Sequence, residues 1–398
     1  MEKDTGYISD IAFFFSNGIV WATLSMGIML AGFVMPFLSI QNNISLSIYA
    51  ASALLSLYVG MTISERLSSR IEKRHLILVG LLIFGFASIV STATIDNIWW
   101  LVFLRFIAGF GLSPLLVIVP GFVSENLSLL NKNRAMYFLD LFWPLGFFIG
   151  CVLAWLASAG IANPNAIYWF SGALSIVSFL VIAVWPNSRV AKVIADVGSN
   201  SEQSSEKEVT TSPKILNKQA ILNYSWILMN FIYYSMFLWA PLLLANRYNN
   251  PIFLALGLIS FGAIQLPSQA LGNFLLSRTT PIRLFLISMA ICIGCLLFIS
   301  AFNSSNITIL AWIVFAGSNM VGWAGLYPMT DTISPSAKSS ERAQLLGKLA
   351  AILGPVFFAL LTTLTSSMDF AILGISAVCF ILLFIVLLCY NSLKESVK

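Results

Sequence analysis

Charged side chains are scarce in this sequence. They make up 9% of 398 residues, against 59% hydrophobic ones, and mean hydropathy is +0.90. A water-soluble domain typically carries about 25% charged residues, so this chain has too few to coat a globule of its size. Most of it is expected to face lipid. Histidine occurs once, as His75, which excludes an H-E-x-x-H zinc hydrolase and the clustered acid–base groups of a membrane-embedded transferase. The five cysteines lie inside apolar runs. Cys292 and Cys295 have C-x-x-C spacing, but no second pair completes the roughly four ligands of a structural zinc. Helix packing or lipid contact is the expected use, with no metal and no cofactor. No Gly-x-x-x-x-Gly-Lys-Ser/Thr phosphate loop occurs, so ATP hydrolysis by that machinery is excluded. The first ten residues lack a basic signal-peptide n-region and a small-residue cleavage site, so the first apolar run is expected to be retained as a span.

Apolar runs dominate what remains. A spanning helix needs about 20 apolar residues. Windows free of charge occur at 11–64, 76–95, 141–188, 219–246, 248–277, 284–330, 349–368 and 370–393, and 97–124 is interrupted only by Arg105. Windows 11–64, 141–188 and 284–330 are each long enough for two spans, with polar breaks at Gln41-Asn42-Asn43, Asn163-Pro164-Asn165 and Asn303-Ser304-Ser305-Asn306. Twelve transmembrane helices are therefore expected. Strands are excluded because the runs are continuously apolar without alternation.

Orientation follows from the basic residues. With the N-terminus inside, all but two of the 21 Lys and Arg residues fall in cytoplasmic segments; the exceptions are Arg247, outside, and Arg105, within a span. The charge of +5 is thus a topological signal rather than a nucleic-acid footprint. A multi-pass protein of the inner (cytoplasmic) membrane with both termini cytoplasmic is expected.

Residues 187–219 are polar, charged and without apolar period, and read as a flexible cytoplasmic linker. They divide the chain into a first six-helix bundle over 1–186 and a second over 220–398. Sliding one half on the other by 208 residues places Arg70 on Arg278, Arg134 on Arg342, Ala135 on Ala343 and Gly146 on Gly354. Two parallel six-helix repeats with a solute site between them near the midplane are the expected arrangement.

The loop between spans two and three, Glu65-Arg66-Leu67-Ser68-Ser69-Arg70-Ile71-Glu72-Lys73-Arg74, resembles the Gly-x-x-x-Asp-Arg-x-Gly-Arg-Arg motif of the major facilitator superfamily. Arg70, Lys73 and Arg74 keep their places, Ser69 replaces the aspartate, and glutamates stand at both glycine positions. Arg105-Phe106-Ile107-Ala108-Gly109-Phe110-Gly111 resembles that family's Arg-x-x-x-Gly-x-Gly in span four. Gly146 and Gly150 keep the spacing of its span-five signature, but the following Pro-x-x-Gly-Gly is absent. The resemblance covers the whole chain. It implies an all-α membrane fold of two pseudo-symmetric six-helix bundles. It also implies a cytoplasmic gate drawn from Glu65, Arg70 and Arg74 together with Glu125 and Arg134, with Glu65 or Glu72 standing in for the missing aspartate.

Arg105 stands out because a charge within a span costs roughly 2.5–3.5 kcal/mol on insertion scales and arginine keeps its proton. It is expected to face a wet cavity, where it would bind a carboxylate or tune a proton site; the alternative is a side chain snorkelling to the headgroups. Asp140, near the inner end of span five, is the candidate proton carrier, since burial raises a carboxyl pKa; the alternative is pairing with Arg134 in cytoplasmic water. Asp140 falls on Lys348 at the 208 offset, so the bundles place opposite charges at equivalent points. Asp331, at the inner end of span ten, reads as an interface residue. Gln265 and Gln269, four apart, share one helix face. Because the family lines its cavity with spans one, four, seven and ten, the resemblance adds Asn230, Tyr233 and Tyr234 of span seven and Asn319 and Trp323 of span ten as substrate contacts.

These readings converge on a secondary active transporter, not an enzyme. Its expected partners are a small organic solute, protons and the lipid bilayer, with no nucleic acid. A carboxylate-bearing metabolite or siderophore suits one fixed positive charge among aromatics, and efflux is favoured over uptake on family breadth alone. The alternative class is a non-transporting sensor or scaffold on a transporter fold, kept open by the degenerate loop motif.

Overall fold

The structure is a computed structural model that describes residues 2–39, 42–94, 96–126, 139–184, 213–248, 250–302, 305–334 and 336–395. The described residues are helical, with no strand among them. Twelve helices follow in order: α1 Glu2–Val34, α2 Asn43–Ser68, α3 Lys73–Ser91, α4 Ile98–Asn126, α5 Phe142–Ser158, α6 Asn165–Val184, α7 Pro213–Arg247, α8, α9 Pro281–Ala301, α10 Ser305–Ile333, α11 Ala337–Thr365 and α12 Met368–Glu395. Helix α8 consists of two segments, Pro251–Ala263 and Gln265–Leu276, joined by Ile264, which keeps helical dihedrals.

Eleven of the helices are long and apolar enough to cross a membrane, and α5, at 17 residues, falls just short. It sits at the lower limit of about 17 residues for a spanning helix, and a helical turn at Leu139–Asp140 precedes it. The large apolar side chains left exposed on the bundle surface, such as Leu82, Phe86, Phe103, Leu180, Phe274, Ile287 and Phe384, are what a lipid-facing surface requires. Trp99 and Trp100 lie exposed at the start of α4, the kind of helix end at which aromatic anchors are enriched. Helix α7 begins at Pro213, so the expected linker over 187–219 is helical in its final turns; its residues 187–212 lie outside the described residues.

Packing repeats. In the first six helices α1 packs on α5 and α6, α2 on α4, and α3 on α4 and α6. In the second six α7 packs on α11 and α12, α8 on α10, and α9 on α10 and α12. Each pair is the counterpart of one in the other bundle, six helices further on. The glycines matched in sequence play matched roles: a Cβ on Gly146 would clash with the Ala22 carbonyl oxygen of α1, and one on Gly354 would clash with Ser235 Oγ and lie 2.9 Å from the Phe231 carbonyl oxygen of α7. Close helix approach at these points needs hydrogen in place of a side chain. A further match is structural: Asn42 and Asn250, 208 apart in sequence, cap α2 and α8 by accepting from Ile44 N and Ile252 N at 2.9 Å, as N-cap asparagines do.

The two bundles meet along three seams: α2 against α11, α5 against α8, and α1 against α7.

Candidate functional site

Between the bundles lies a cavity of about 650 Å³. Its walls come from α1, α2, α4 and α5 on one side and α7, α8, α10 and α11 on the other. It opens towards the face that carries the C-terminal end of α10 and the N-terminal end of α11, where the exposed Asp331 and Thr332 form its rim. The opposite end is sealed. Phe147 of α5, packed on Phe33 of α1, meets Phe237 and Phe261 of the second bundle, with Phe315 against Phe237, all fully buried. Their ring centroids are 4.9–5.8 Å apart across the contacts Phe33–Phe147 (5.2 Å), Phe147–Phe237 (5.4 Å), Phe237–Phe261 (4.9 Å) and Phe237–Phe315 (5.8 Å), within the favoured range for aromatic pairs. Beside this plug α1 runs so close to α7 that a Cβ on Gly32 would lie 2.5 Å from the Leu238 carbonyl oxygen.

Aromatic side chains form most of the working surface. Trp226 lies 6.1 Å from Trp323 and 5.7 Å from Tyr327, and Trp323 stacks on Tyr327 at 5.6 Å and 28°. Tyr233 closes edge-on against Trp323 at 5.9 Å. From the first bundle Trp21 and Trp143 pair at 5.9 Å. Trp143 Nε1 donates to Tyr233 Oη at 2.8 Å, a hydrogen bond that crosses from one bundle to the other. Trp226 is oriented by donating from Nε1 to Thr330 Oγ1 at 2.9 Å. Polar groups are few and spaced around the rings: Asn230, Gln269, Asn273 and Gln344, with Asp140, Asp331 and Lys348 as the charges. The Trp21 indole N–H faces Asp140 but falls short of hydrogen-bond geometry.

Among the residues singled out in the sequence, Asn230, Tyr233, Tyr234, Gln269, Trp323 and Asp140 line this cavity. Arg105 does not. It is fully buried inside the first bundle, where Nη1 donates to the Gly27 carbonyl at 2.9 Å and Nη2 to the Ile28 carbonyl at 3.2 Å. The hydroxyls of Tyr49 and Tyr168, 2.6 Å apart, lie close enough to act on its charge. The expectation of a guanidinium on the cavity wall is corrected: it lies buried among protein carbonyls and phenols, with Nε left without a hydrogen-bond partner. Gln265 also misses the cavity: it is fully buried, with Nε2 donating to the Phe261 carbonyl at 3.1 Å. Asn319 is fully buried beside Cys292 within the second bundle. Sequence reasoning overlooked Trp21, Tyr58, Trp143, Trp226 and Tyr327. Trp226 was legible as the residue four before Asn230, hence on the same helix face.

The expected gate is only partly described. Arg134 and the Glu125 side chain lie outside the described residues. Glu65 and Arg70 are exposed at the end of α2 and the turn after it. Arg74 Nη2 donates to the Ala183 carbonyl at 2.6 Å, which ties α3 to the last turn of α6 within one bundle. On the opposite face Arg247, the outside exception to the basic-residue pattern, forms an ion pair with Asp369 and donates to the Ile299 carbonyl at 3.0 Å.

Residues 11–348 match the family model described as Major Facilitator Superfamily. The chain belongs to the Major Facilitator Superfamily. It is a multi-pass membrane transporter of small solutes and not an enzyme. It is similar to a protein of Bacillus subtilis (strain 168) assigned as the niacin/nicotinamide transporter NiaP, with 20% identity over 345 residues, 85% of each chain. It is also similar to the niacin transporter NiaP of Acinetobacter baylyi (strain ATCC 33305 / BD413 / ADP1), with 22% identity over 220 residues, 48% of this chain and 49% of that one. Among solved structures, a D-xylose–proton symporter superposes with a TM-score of 0.75 at 14% identity, covering 95% of this chain and 97% of the other. The nucleoside transporter NupG superposes with a TM-score of 0.73 at 12% identity, covering 96% and 99%. These two similarities establish the fold.

Proposed function

We propose that this major facilitator transporter carries a small, flat, ring-bearing solute of the niacin class, acid or amide, by proton-coupled alternating access. The observation that carries the reading is the central cavity: both bundles wall it, it is sealed at one end by a plug of rings from both, and stacked aromatics line it. Such walls suit a planar heteroaromatic ring better than a polyhydroxylated one, because ring faces pair with ring faces. The two relatives named for niacin point to the same class. Asp140, a carboxyl on the cavity wall, is the proton carrier in this reading. The excess of basic residues at the open face supports a cytoplasmic position for that face and for both termini, with the linker over 187–212 joining two rocking units. The preference for efflux has no counterpart in the cavity and is not part of the proposal.

The test is solute flux. Purified full-length protein in liposomes, given labelled nicotinate or nicotinamide and an imposed proton gradient, is expected to accumulate one of them and to lose the accumulation when a protonophore is added. Ring-ligand binding with no flux under either gradient orientation would assign the chain to the non-transporting sensors instead.

A further inference from the structure

The cavity wall carries two carboxylates, Asp140 and Asp331, and one cationic side chain, Lys348 of α11. Lys348 is half-buried and makes no hydrogen bond or ion pair with any described residue. The acidic group close enough to act on it is Glu65, which belongs to α2 of the other bundle and stays beyond ion-pair distance. An ammonium taken partly out of water without a partner is costly unless an anion completes it. Its surroundings specify that anion. The preceding residue, Gly347, lies so close to α7 that a Cβ there would be 2.7 Å from Asn230 Nδ2 and 3.1 Å from the Trp226 carbonyl oxygen. Lys348 lines the same cavity as Trp226, Trp323 and Tyr327, and Gln344, one turn earlier on α11, lines it too.

We infer that Lys348 is the specificity residue of the cavity: its ammonium takes the carboxylate of an aromatic acid whose ring lies on the Trp226–Trp323–Tyr327 wall, and this excludes the neutral amide. The inference rests on the ring-solute reading given above and narrows it to the acid. A carboxylate receives a charge-assisted hydrogen bond that a carboxamide cannot match. Because the bound carboxylate competes with Glu65, ligand binding also loosens an electrostatic tie across the α2–α11 seam.

The experiment uses the full chain in detergent, with binding of matched acid and amide pairs followed by calorimetry: nicotinate with nicotinamide, and benzoate with benzamide. Acids are expected to bind about 10- to 100-fold more tightly than their amides, the range that separates charged from neutral hydrogen-bond partners. Lys348→Gln is expected to weaken the acids to the level of the amides and leave amide affinity unchanged. Lys348→Arg retains the preference and shows that the site tolerates substitution. Glu65→Gln, which removes the competitor, strengthens acid binding several-fold. A Lys348→Gln variant that keeps the acid preference, or that weakens acid and amide equally, overturns the inference, as does failure of every acid to bind. If benzoate binds selectively through Lys348 and nicotinate does not bind at all, the inference stands and the niacin-class reading falls.

Discussion

Replacing Gly32 with alanine puts a methyl group where α1 meets the backbone of α7 at the sealed end of the cavity. That Cβ would lie 2.5 Å from the Leu238 carbonyl oxygen and 3.1 Å from its Cα and carbonyl carbon, about 1 Å inside an ordinary contact. The obstacle is backbone, so no side chain can rotate away. The two helices must part, at an overpacking cost of about 1–3 kcal/mol. The cost falls only on the state in which the bundles touch at this end. The equilibrium between the two access states therefore moves by about 5- to 150-fold towards opening of the sealed end. Cys151 is a native reporter. It is fully buried on α5 against α8, 3.2 Å from where a Cβ on Gly262 would stand, and lies on a seam that must open. With Cys292, Cys295, Cys379 and Cys389 replaced by alanine, maleimide labelling of Cys151 is expected to rise by that factor in Gly32→Ala. Gly146→Ala is the control. Its clash with the Ala22 carbonyl lies within one bundle, so it lowers stability without favouring either state. Unchanged labelling in a folded Gly32→Ala protein would refute the reasoning, as would equal increases in both variants.

Asp140→Asn is expected to abolish accumulation driven by a proton gradient while downhill solute exchange persists; gradient-driven accumulation at the wild-type level in the variant removes Asp140 as the proton carrier. Arg105→Ala takes two charge-assisted hydrogen bonds from buried carbonyls of α1. At about 1.5–3 kcal/mol for each, it should lower the melting temperature of the purified protein markedly while the acid-to-amide preference stays put; a change in that preference with stability intact would return Arg105 to the solute site. Asn250→Ala removes the cap of α8 and is expected to cost about 1 kcal/mol, as is Asn42→Ala for α2, with equal losses in thermal denaturation expected from the repeat.

The helices were legible because lipid imposes a crude and strict rule: about 20 apolar residues per crossing and basic residues on one side. The repeat was legible at Gly146 and Gly354, where close helix approach constrains residue type, and illegible at most positions between, where any apolar side chain serves. The site was half legible. Asn230, Tyr233, Tyr234 and Trp323, on helices the family resemblance assigned to the cavity, line it in the structure, whereas Asn319, assigned on the same ground, lies buried within the second bundle. The position of Arg105 was not legible, because sequence shows that a charge lies within a span and not what surrounds it. Two carbonyls of α1 accept from the guanidinium and the phenols of α2 and α6 lie near its charge, while Nε has no partner. Gln265 shares a helix face with Gln269 but is fully buried away from the cavity, because a shared face does not fix how deep along the helix the cavity reaches. Lys348 was visible only as the counterpart of Asp140. That both residues line one cavity depends on how the two bundles face each other, which no local pattern encodes.

Alternating access is most directly tested by distances measured across both ends of the bundle pair in the same protein. Spin labels at Arg66 and Thr332, exposed at the end where the cavity opens, and at Ile44 and Ile307, exposed at the sealed end, report the two gaps by pulsed electron resonance. Two populations are expected, with the first distance shortening as the second lengthens when solute and proton gradient are supplied. A single distribution at both ends, unmoved by solute, would contradict transport by rocking of these bundles.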